Sequence, residues 1–214
     1  CQTAGSISKR ITLVVGYDKE SIIKVSETLN LDISSCEQPK PIGTGDAVKY
    51  GISEVKDASK VLVLYGDVPL IKKETLKNLI NNCENSLSIL TTVLENPFGY
   101  GRVKKDKSGN PVAIVEEKDA SDEEKEIKEI FTGVLCSTTT YLKEALSELS
   151  CDNTAGEFYL TDIVSIMSNR GITINTCNAS NEEVRGANSK EELAQLEAIY
   201  RSMKVHELSL IYKL

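Results

Sequence analysis

Asp67 closes the apolar run Val61-Leu62-Val63-Leu64-Tyr65-Gly66-Asp67-Val68-Pro69-Leu70 and is the first residue in this chain whose type and place suggest chemistry. The run reads as a buried strand ended by Gly66 and Pro69, so the carboxylate stands at a strand's carboxyl end, where open α/β sheets bind ligands. A carboxylate there suits a hard cation such as Mg2+ shared with a phosphate; an aspartate that only closes a turn is the competing reading. The second group is Gly43-Thr44-Gly45 at a helix start. Glycines there let backbone N–H groups approach an anion or a base edge, although the same residues also serve as ordinary caps. The third is Glu116, which directly ends a strand, whereas the charges from Glu117 to Glu129 read as a solvated connector. His206 is the only histidine and sits in a charged tail as a surface residue, and the six cysteines are scattered with no C-x-x-C pair. Zinc, a His-based triad and disulfides are therefore not expected, and the thiols read as reduced and mostly buried.

The elements that must hold these groups follow from periodicity. Residues 10–15 form a strand, and Ile22, Val25 and Leu29 share one face of the helix after it. Cys36 to Pro41 is a proline-broken segment, after which Val48, Ile52 and Val55 line the helix behind Gly43. Leu76, Leu79, Ile80 and Cys83 give another amphipathic helix, and residues 87–94 the next strand. This alternation predicts a doubly wound, mostly parallel sheet. An antiparallel hairpin then joins residues 102–104 to 112–115 across Lys107-Ser108-Gly109-Asn110. A strand at 130–136, helices lined by Leu142, Leu146 and Leu149 and by Ile163, Ile166 and Met167, and a late strand at 172–177 complete the body. Ser189 and Glu192 form a capping box for a long exit helix, whose stripe of Leu193, Leu196, Tyr200 and Met203 is expected to pack against the body.

The chain has 214 residues, enough for one large α/β domain, and a net charge of -7, which argues against a nucleic-acid surface and against anionic membranes. It contains no apolar run long enough to span a bilayer and no signal-peptide pattern, so a cytoplasmic location is expected.

Taken in order, Gln38 with Gly43-Thr44-Gly45, Tyr65-Gly66-Asp67-Val68-Pro69-Leu70, Gly99-Tyr100-Gly101-Arg102, Val115-Glu116-Glu117-Lys118-Asp119-Ala120, Thr132-Gly133, Gly156-Glu157-Phe158-Tyr159-Leu160-Thr161-Asp162 and Gly186-Ala187-Asn188 form a set. The set resembles the uridyltransferase domain of the bacterial bifunctional N-acetylglucosamine-1-phosphate uridyltransferase and glucosamine-1-phosphate acetyltransferase, over nearly the whole chain. The resemblance implies an α/β, Rossmann-like nucleotidyltransferase fold: a mostly parallel central sheet with helices on both faces, a small antiparallel hairpin on the sugar side and a long C-terminal exit helix. It places the nucleotidyltransferase domain at 1–188 and the exit helix at 189–214. It implies that Asp67 and Asn188 are oxygen ligands for Mg2+ and the catalytic pair. By the same resemblance Tyr65 and Gly66 flank the nucleotide, while Gln38 and the Gly43-Thr44 backbone read uracil. Gly101, Glu116, Tyr159 and Thr161 then line the sugar site. The implied reaction joins UTP and N-acetylglucosamine 1-phosphate into UDP-N-acetylglucosamine and pyrophosphate, for cell-envelope amino-sugar synthesis. No covalent intermediate is needed, because nucleotidyl transfer depends on in-line positioning and charge neutralisation.

The chain departs from the family pattern in several places. Phe131 stands where the family usually has asparagine, which puts the sugar contact in doubt, and Asp46 stands where it usually has histidine. The resemblance also implies a first strand and a glycine-rich phosphate loop ahead of Cys1, and an oligomerising acetyltransferase domain beyond Leu214. The chain is thus expected to be an internal piece of a longer protein and, without the triphosphate cradle, nearly inactive. Another sugar-1-phosphate nucleotidyltransferase and a non-catalytic nucleotide-sugar binding module remain the rival readings.

Overall fold

In a computed structural model of the chain, residues 1–55, 59–187 and 189–212 are described, except the side chains of 206–208 and 210–212. The predicted Asn188 ligand and the His206 side chain lie outside the described residues.

A short helix α1 (Gln2–Gly5) precedes strand β1 (Ile11–Val15), helix α2 (Lys19–Glu27) and strand β2 (Ile33–Glu37). β1 and β2 pair in parallel and form a two-stranded sheet of their own. β2 was not foreseen and overlaps the expected proline-broken segment only at Cys36 and Glu37, because Ile33-Ser34-Ser35-Cys36-Glu37 carries too few apolar residues to announce a strand. The predicted face of α2 is also wrong: Ile22 and Val25 are 43% and 63% exposed. With only two strands beneath it, α2 has no broad apolar surface to bury that face against.

Helix α3 (Thr44–Ser53) leads to β3 (Lys60–Val63), α4 (Lys73–Asn81), β4 (Leu87–Val93), β5 (Arg102–Lys105) and β6 (Pro111–Val115). A single turn α5 (Asp122–Lys125), β7 (Glu129–Thr138), α6 (Thr139–Ser147), α7 (Asp162–Asn169), β8 (Ile174–Asn178) and α8 (Lys190–Tyr212) complete the chain. The larger sheet has the order β6-β5-β7-β4-β8, with β3 paired to β7. β3, β4 and β8 share one direction, and β7 runs antiparallel to both β3 and β4 between them. The apolar run before Asp67 therefore forms a half-buried strand bonded to an antiparallel neighbour, where periodicity suggested a strand buried among parallel ones.

Side-chain alternation sends each strand's residues to two cores. Val61 and Val63 of β3, Leu87 and Ile89 of β4, and Phe131 and Leu135 of β7 meet α3, α6 and α7 on one face. Leu62 and Leu64, Leu90, Val134 and Cys136 meet Leu76 and Leu79 of α4, and Cys83 just beyond it, on the other. Helices thus cover both faces, as the alternation implied. All six cysteines are free, with Cys83, Cys136 and Cys177 buried but Cys1 and Cys151 exposed. In α8 the Ser189–Glu192 capping box is formed in both directions, at 3.1 Å each. Its apolar stripe does not pack as expected: Leu196 is buried, while Leu193 and Tyr200 are 56% and 43% exposed. Among the described residues, no helix is long and apolar enough to cross a membrane.

Candidate active site

The groups singled out by sequence meet along one edge of the molecule, beyond the ends of β3 and β6 and at the start of α3. Gly43 is the N-cap of α3 with φ 122° and ψ 162°, a backbone region open essentially to glycine. A Cβ at this position would lie 2.4 Å from the Phe158 carbonyl oxygen and 2.6 Å from its nitrogen. Phe158 N–H donates to Ile42 O at 2.9 Å, Gly45 N–H to Phe158 O at 2.8 Å, and Leu160 N–H to Thr44 Oγ1 at 3.1 Å. The glycines expected to approach a ligand are therefore first required to approach another segment of the chain. Gly45 N–H is consumed in that contact and is not available to a nucleotide. Gln38, just beyond β2, turns its Nε2 to Gly43 O at 3.1 Å and to Asp46 Oδ2 at 2.9 Å.

Tyr65 and Gly66 lie just beyond β3, after Leu64. The Tyr65 ring lies against Gly133, where a Cβ would come within 2.5 Å of ring atom Cε2. Gly133 has φ 85° and sits in the irregular stretch of β7 that shifts its register with β4 between Ile89 and Thr91. Burial raises the Tyr65 phenol, a hydrogen bond with Thr44 pulls it down, and the charges of Glu116 and Asp67 push it up again. The Tyr65 phenol thus bonds to Thr44 and lies within the electrostatic reach of Glu116 and Asp67. Gly66 is exposed, with open space where a side chain would project. Asp67 is exposed as well, and its carbonyl accepts from Ala187 N–H at 3.2 Å.

On the other side, Thr161 Oγ1 donates to Glu116 Oε1 at 2.9 Å, and a Cβ on Gly101 would stand 3.6 Å from both Glu116 carboxylate oxygens. Burial raises the Glu116 carboxyl above its ordinary range; the Thr161 hydroxyl opposes this, and Asp162 and Asp119 add to it. Tyr159 is pushed up to about 12 by burial and by the Asp119 charge. Asp119 is held low by hydrogen bonds from the Thr154 side chain and backbone and from Tyr159. This residue escaped sequence reasoning as a site residue, although it stands in the quoted Glu116–Ala120 motif.

Two further groups position the site without having been foreseen. Arg102 is 2% exposed and pairs through Nη2 with Glu117 Oε2 at 2.5 Å, while Nη1 donates to Tyr100 O. Gly99 N–H donates to the same Glu117 oxygen at 3.1 Å, so the turn leading to Gly101 is pinned by the first of the supposedly solvated charges. Glu124 and Glu129 likewise pair with Lys104 at 2.8 Å and Lys105 at 2.5 Å, because the connector folds back along β5. Glu183, 6% exposed, accepts from Thr75 Oγ1 at 2.5 Å and from Lys72 N–H at 3.3 Å, closing the start of α4 downstream of Asp67. Phe131 is 5% exposed in the core, and its N–H donates to Gly101 O at 2.9 Å. Its ring packs among apolar neighbours, and its backbone holds Gly101.

A divalent cation finds a suitable donor set in part. Among the described residues, no three His, Cys, Asp or Glu side chains cluster as a metal cage. Mg2+ does not require one, since it is commonly held by one or two carboxylates together with substrate phosphates. The exposed oxygens of Asp67 fit that pattern.

Comparisons with known proteins agree with this geometry. Residues 1–133 match the model of the MobA-like NTP transferase domain. The chain is 43% identical to the bifunctional protein GlmU of Dechloromonas aromatica over 199 residues, covering 92% of this chain and 43% of that protein. It is 41% identical to the bifunctional protein GlmU of a Psychrobacter species over 208 residues, covering 96% of this chain and 45% of that protein. The chain thus spans less than half the length of these relatives. The crystal structure of a nucleoside-diphosphate-sugar pyrophosphorylase from Vibrio cholerae superposes with a TM-score of 0.69 at 15% identity, covering 91% of this chain and 83% of that one, a likeness of fold. The resemblance read from the motifs is therefore supported along the chain, which belongs to the MobA-like NTP transferase domain family.

Proposed function

We propose that the chain is the uridyltransferase portion of a GlmU-type protein, joining UTP and N-acetylglucosamine 1-phosphate into UDP-N-acetylglucosamine with release of pyrophosphate. The observation that carries this reading is the continuous set of contacts from Gln38 and Gly43 through Thr44, Leu160 and Thr161 to Glu116. It puts an amide and backbone groups, which suit a base edge, beside a carboxylate and hydroxyls, which suit a sugar. In this reading Gln38, Gly43 and Thr44 hold uracil, Tyr65 and Gly66 flank the nucleotide, and Gly101, Glu116, Tyr159 and Thr161 orient the amino sugar. The sugar phosphate oxygen attacks the α-phosphorus of UTP in line as pyrophosphate leaves. The chain's task is to hold the two reactants in register and to exclude water. Asp67 and Asn188 would hold Mg2+, which when bound neutralises charge on the phosphates. Residues 1–188 form the nucleotidyltransferase domain, and 189–214 the helix that leads out of it.

The test is calorimetric titration of the chain with UDP-N-acetylglucosamine, UDP-glucose and ADP-glucose, with and without Mg2+. UDP-N-acetylglucosamine is expected to bind most tightly, and Asp67→Ala to remove the Mg2+ dependence while leaving the fold intact by circular dichroism. Equal affinity for all three sugars would exclude the assignment. Mg2+ dependence that survives in Asp67→Ala would exclude the metal ligand.

A further inference from the structure

Gln38 is held in one of its two amide orientations by groups that stand on one side of it. Its Nε2 donates to Gly43 O at 3.1 Å and to Asp46 Oδ2 at 2.9 Å. A backbone carbonyl and a carboxylate are both acceptors, so the opposite orientation would set Oε1 against two oxygens. The network itself thus fixes which end of the amide is nitrogen. Both N–H groups of Nε2 are engaged, and no described residue donates to Oε1. What Gln38 has left to offer a ligand is an acceptor.

Asp46 is the third residue of α3, where an acidic side chain also favours the helix dipole. Its carboxylate accepts from Gln38 Nε2. We infer that Asp46 is the positioning residue that sets base specificity: by holding Nε2, it makes Gln38 present Oε1, which accepts from the ring N–H of uracil and meets the bare ring nitrogen of cytosine lone pair to lone pair. This rests on the proposal that Gln38 faces the base. It also gives a role to a residue that departs from the family pattern. Gly43 O alone holds one amide hydrogen in the same sense, but a neutral carbonyl is the weaker half of the clamp, since hydrogen bonds to charged groups are about twice as strong.

The experiment titrates uridine 5′-diphosphate and cytidine 5′-diphosphate, in Mg2+ buffer, into the parent chain and four variants. The parent is expected to prefer the uridine nucleotide on the order of tenfold to a hundredfold, the size of one favourable bond exchanged for one repulsive contact. In Asp46→Ala only the weaker Gly43 carbonyl still holds the amide, so it turns more readily, and the ratio is expected to fall to within about threefold, chiefly by a gain for the cytidine nucleotide. Asp46→Asn can still accept from Nε2 and is expected to keep the preference. Asp46→Lys places donors beside the amide, draws Oε1 inward and is expected to reverse the preference, so a failure of one variant to fold does not decide the matter. A preference unchanged in both Asp46→Ala and Asp46→Lys, while Gln38→Ala loses it, would overturn the role of Asp46 and leave the base reading standing. Uridine affinity unchanged in Gln38→Ala, or a parent chain that binds neither nucleotide, would overturn the base reading and this inference with it.

Discussion

The two sides of the candidate site are built to different densities. On the side proposed to hold the sugar, called the sugar side, eight of the ten residues of β7 and six of the seven of β4 are buried, and the loops carrying Glu116 and Thr161 rest on that core. On the side proposed to hold the base, called the base side, Val15 is the one buried residue of β1, and β2 and α2 have none. The base side is joined to the rest largely through α3 and through the hydrogen bonds between residues 42–45 and 158–160. The difference teaches where positioning would come from: under the proposed assignment, sugar contacts inherit theirs from a close-packed core, and base contacts from a few hydrogen bonds to the segment that carries Tyr159 and Thr161. The two subsites are therefore coupled through Phe158.

The contrast is broken most forcefully in the core. Leu135 is 0% exposed at the centre of β7. Leu135→Ala removes its contacts and leaves a cavity, with an expected loss of about 2–5 kcal/mol in urea unfolding. The sugar side and the base side should lose structure together, because both hang on this sheet. A loss below about 1 kcal/mol would show that the core is not close-packed there.

Gly43→Ala tests the coupling. The backbone at φ 122° is strained for alanine, and its Cβ would meet the backbone of Phe158. Strain of this kind costs about 1–3 kcal/mol and is relieved by parting the two segments. Hydrogen exchange of residues 11–37 is expected to speed up while β4 and β7 keep their protection. Unchanged exchange in β1 and β2 would mean that other contacts hold the base side.

Much of this arrangement was legible in the sequence where burial is strong. The strands β4 and β7, the helices α4, α6 and α7 and the hairpin β5–β6 announced themselves through apolar period and turn residues, since a close-packed core leaves few alternatives. The base side was less legible. β2 has little apolar content, and the Ile22–Val25 face looks like a core stripe yet meets no core. Motif residues Gln38, Tyr65, Glu116 and Thr161 were found by their order in the chain. Their supports, Arg102 with Glu117 and Asp119 with Thr154, depend on pairings between loops that no local pattern encodes. Gly133 did leave a signal, a lone glycine within a strand, which marks an irregular pairing.

A smaller effect distinguishes the two sides by pH. Burial raises the Glu116 carboxyl, with Asp162 and Asp119 adding to it. A raised folded-state value means that Glu116 favours the folded state below its unfolded value, and that this contribution is lost as pH rises through the folded one. Sugar binding runs the other way, because only the ionised carboxylate accepts fully from a sugar hydroxyl. Affinity for UDP-N-acetylglucosamine is therefore expected to rise with pH through a midpoint above the ordinary glutamate range, a limb that UDP lacks. Asp162→Asn removes a neighbouring negative charge and should move that midpoint down, by less than about one pH unit. Identical profiles for the two ligands would remove Glu116 from the sugar site.

The smallest expected effect is the sharpest test of how thin the base side is. Val25 has the helical spacing of a core residue but is 63% exposed, whereas Val164 of α7, at 0%, is fully enclosed. Val25→Ser gives up little burial and is expected to change stability by no more than about 0.5 kcal/mol. Val164→Ser buries a hydroxyl in place of two methyl groups and should cost about 1–3 kcal/mol. Both substitutions are valine to serine in a helix, so propensity nearly cancels between them and burial alone separates the outcomes. If the two losses were equal, the Ile22–Val25 face would have to be covered in solution. The contrast in density between the two sides would then vanish at its thinnest point, and with it the reason for tracing base positioning to the Phe158 contacts.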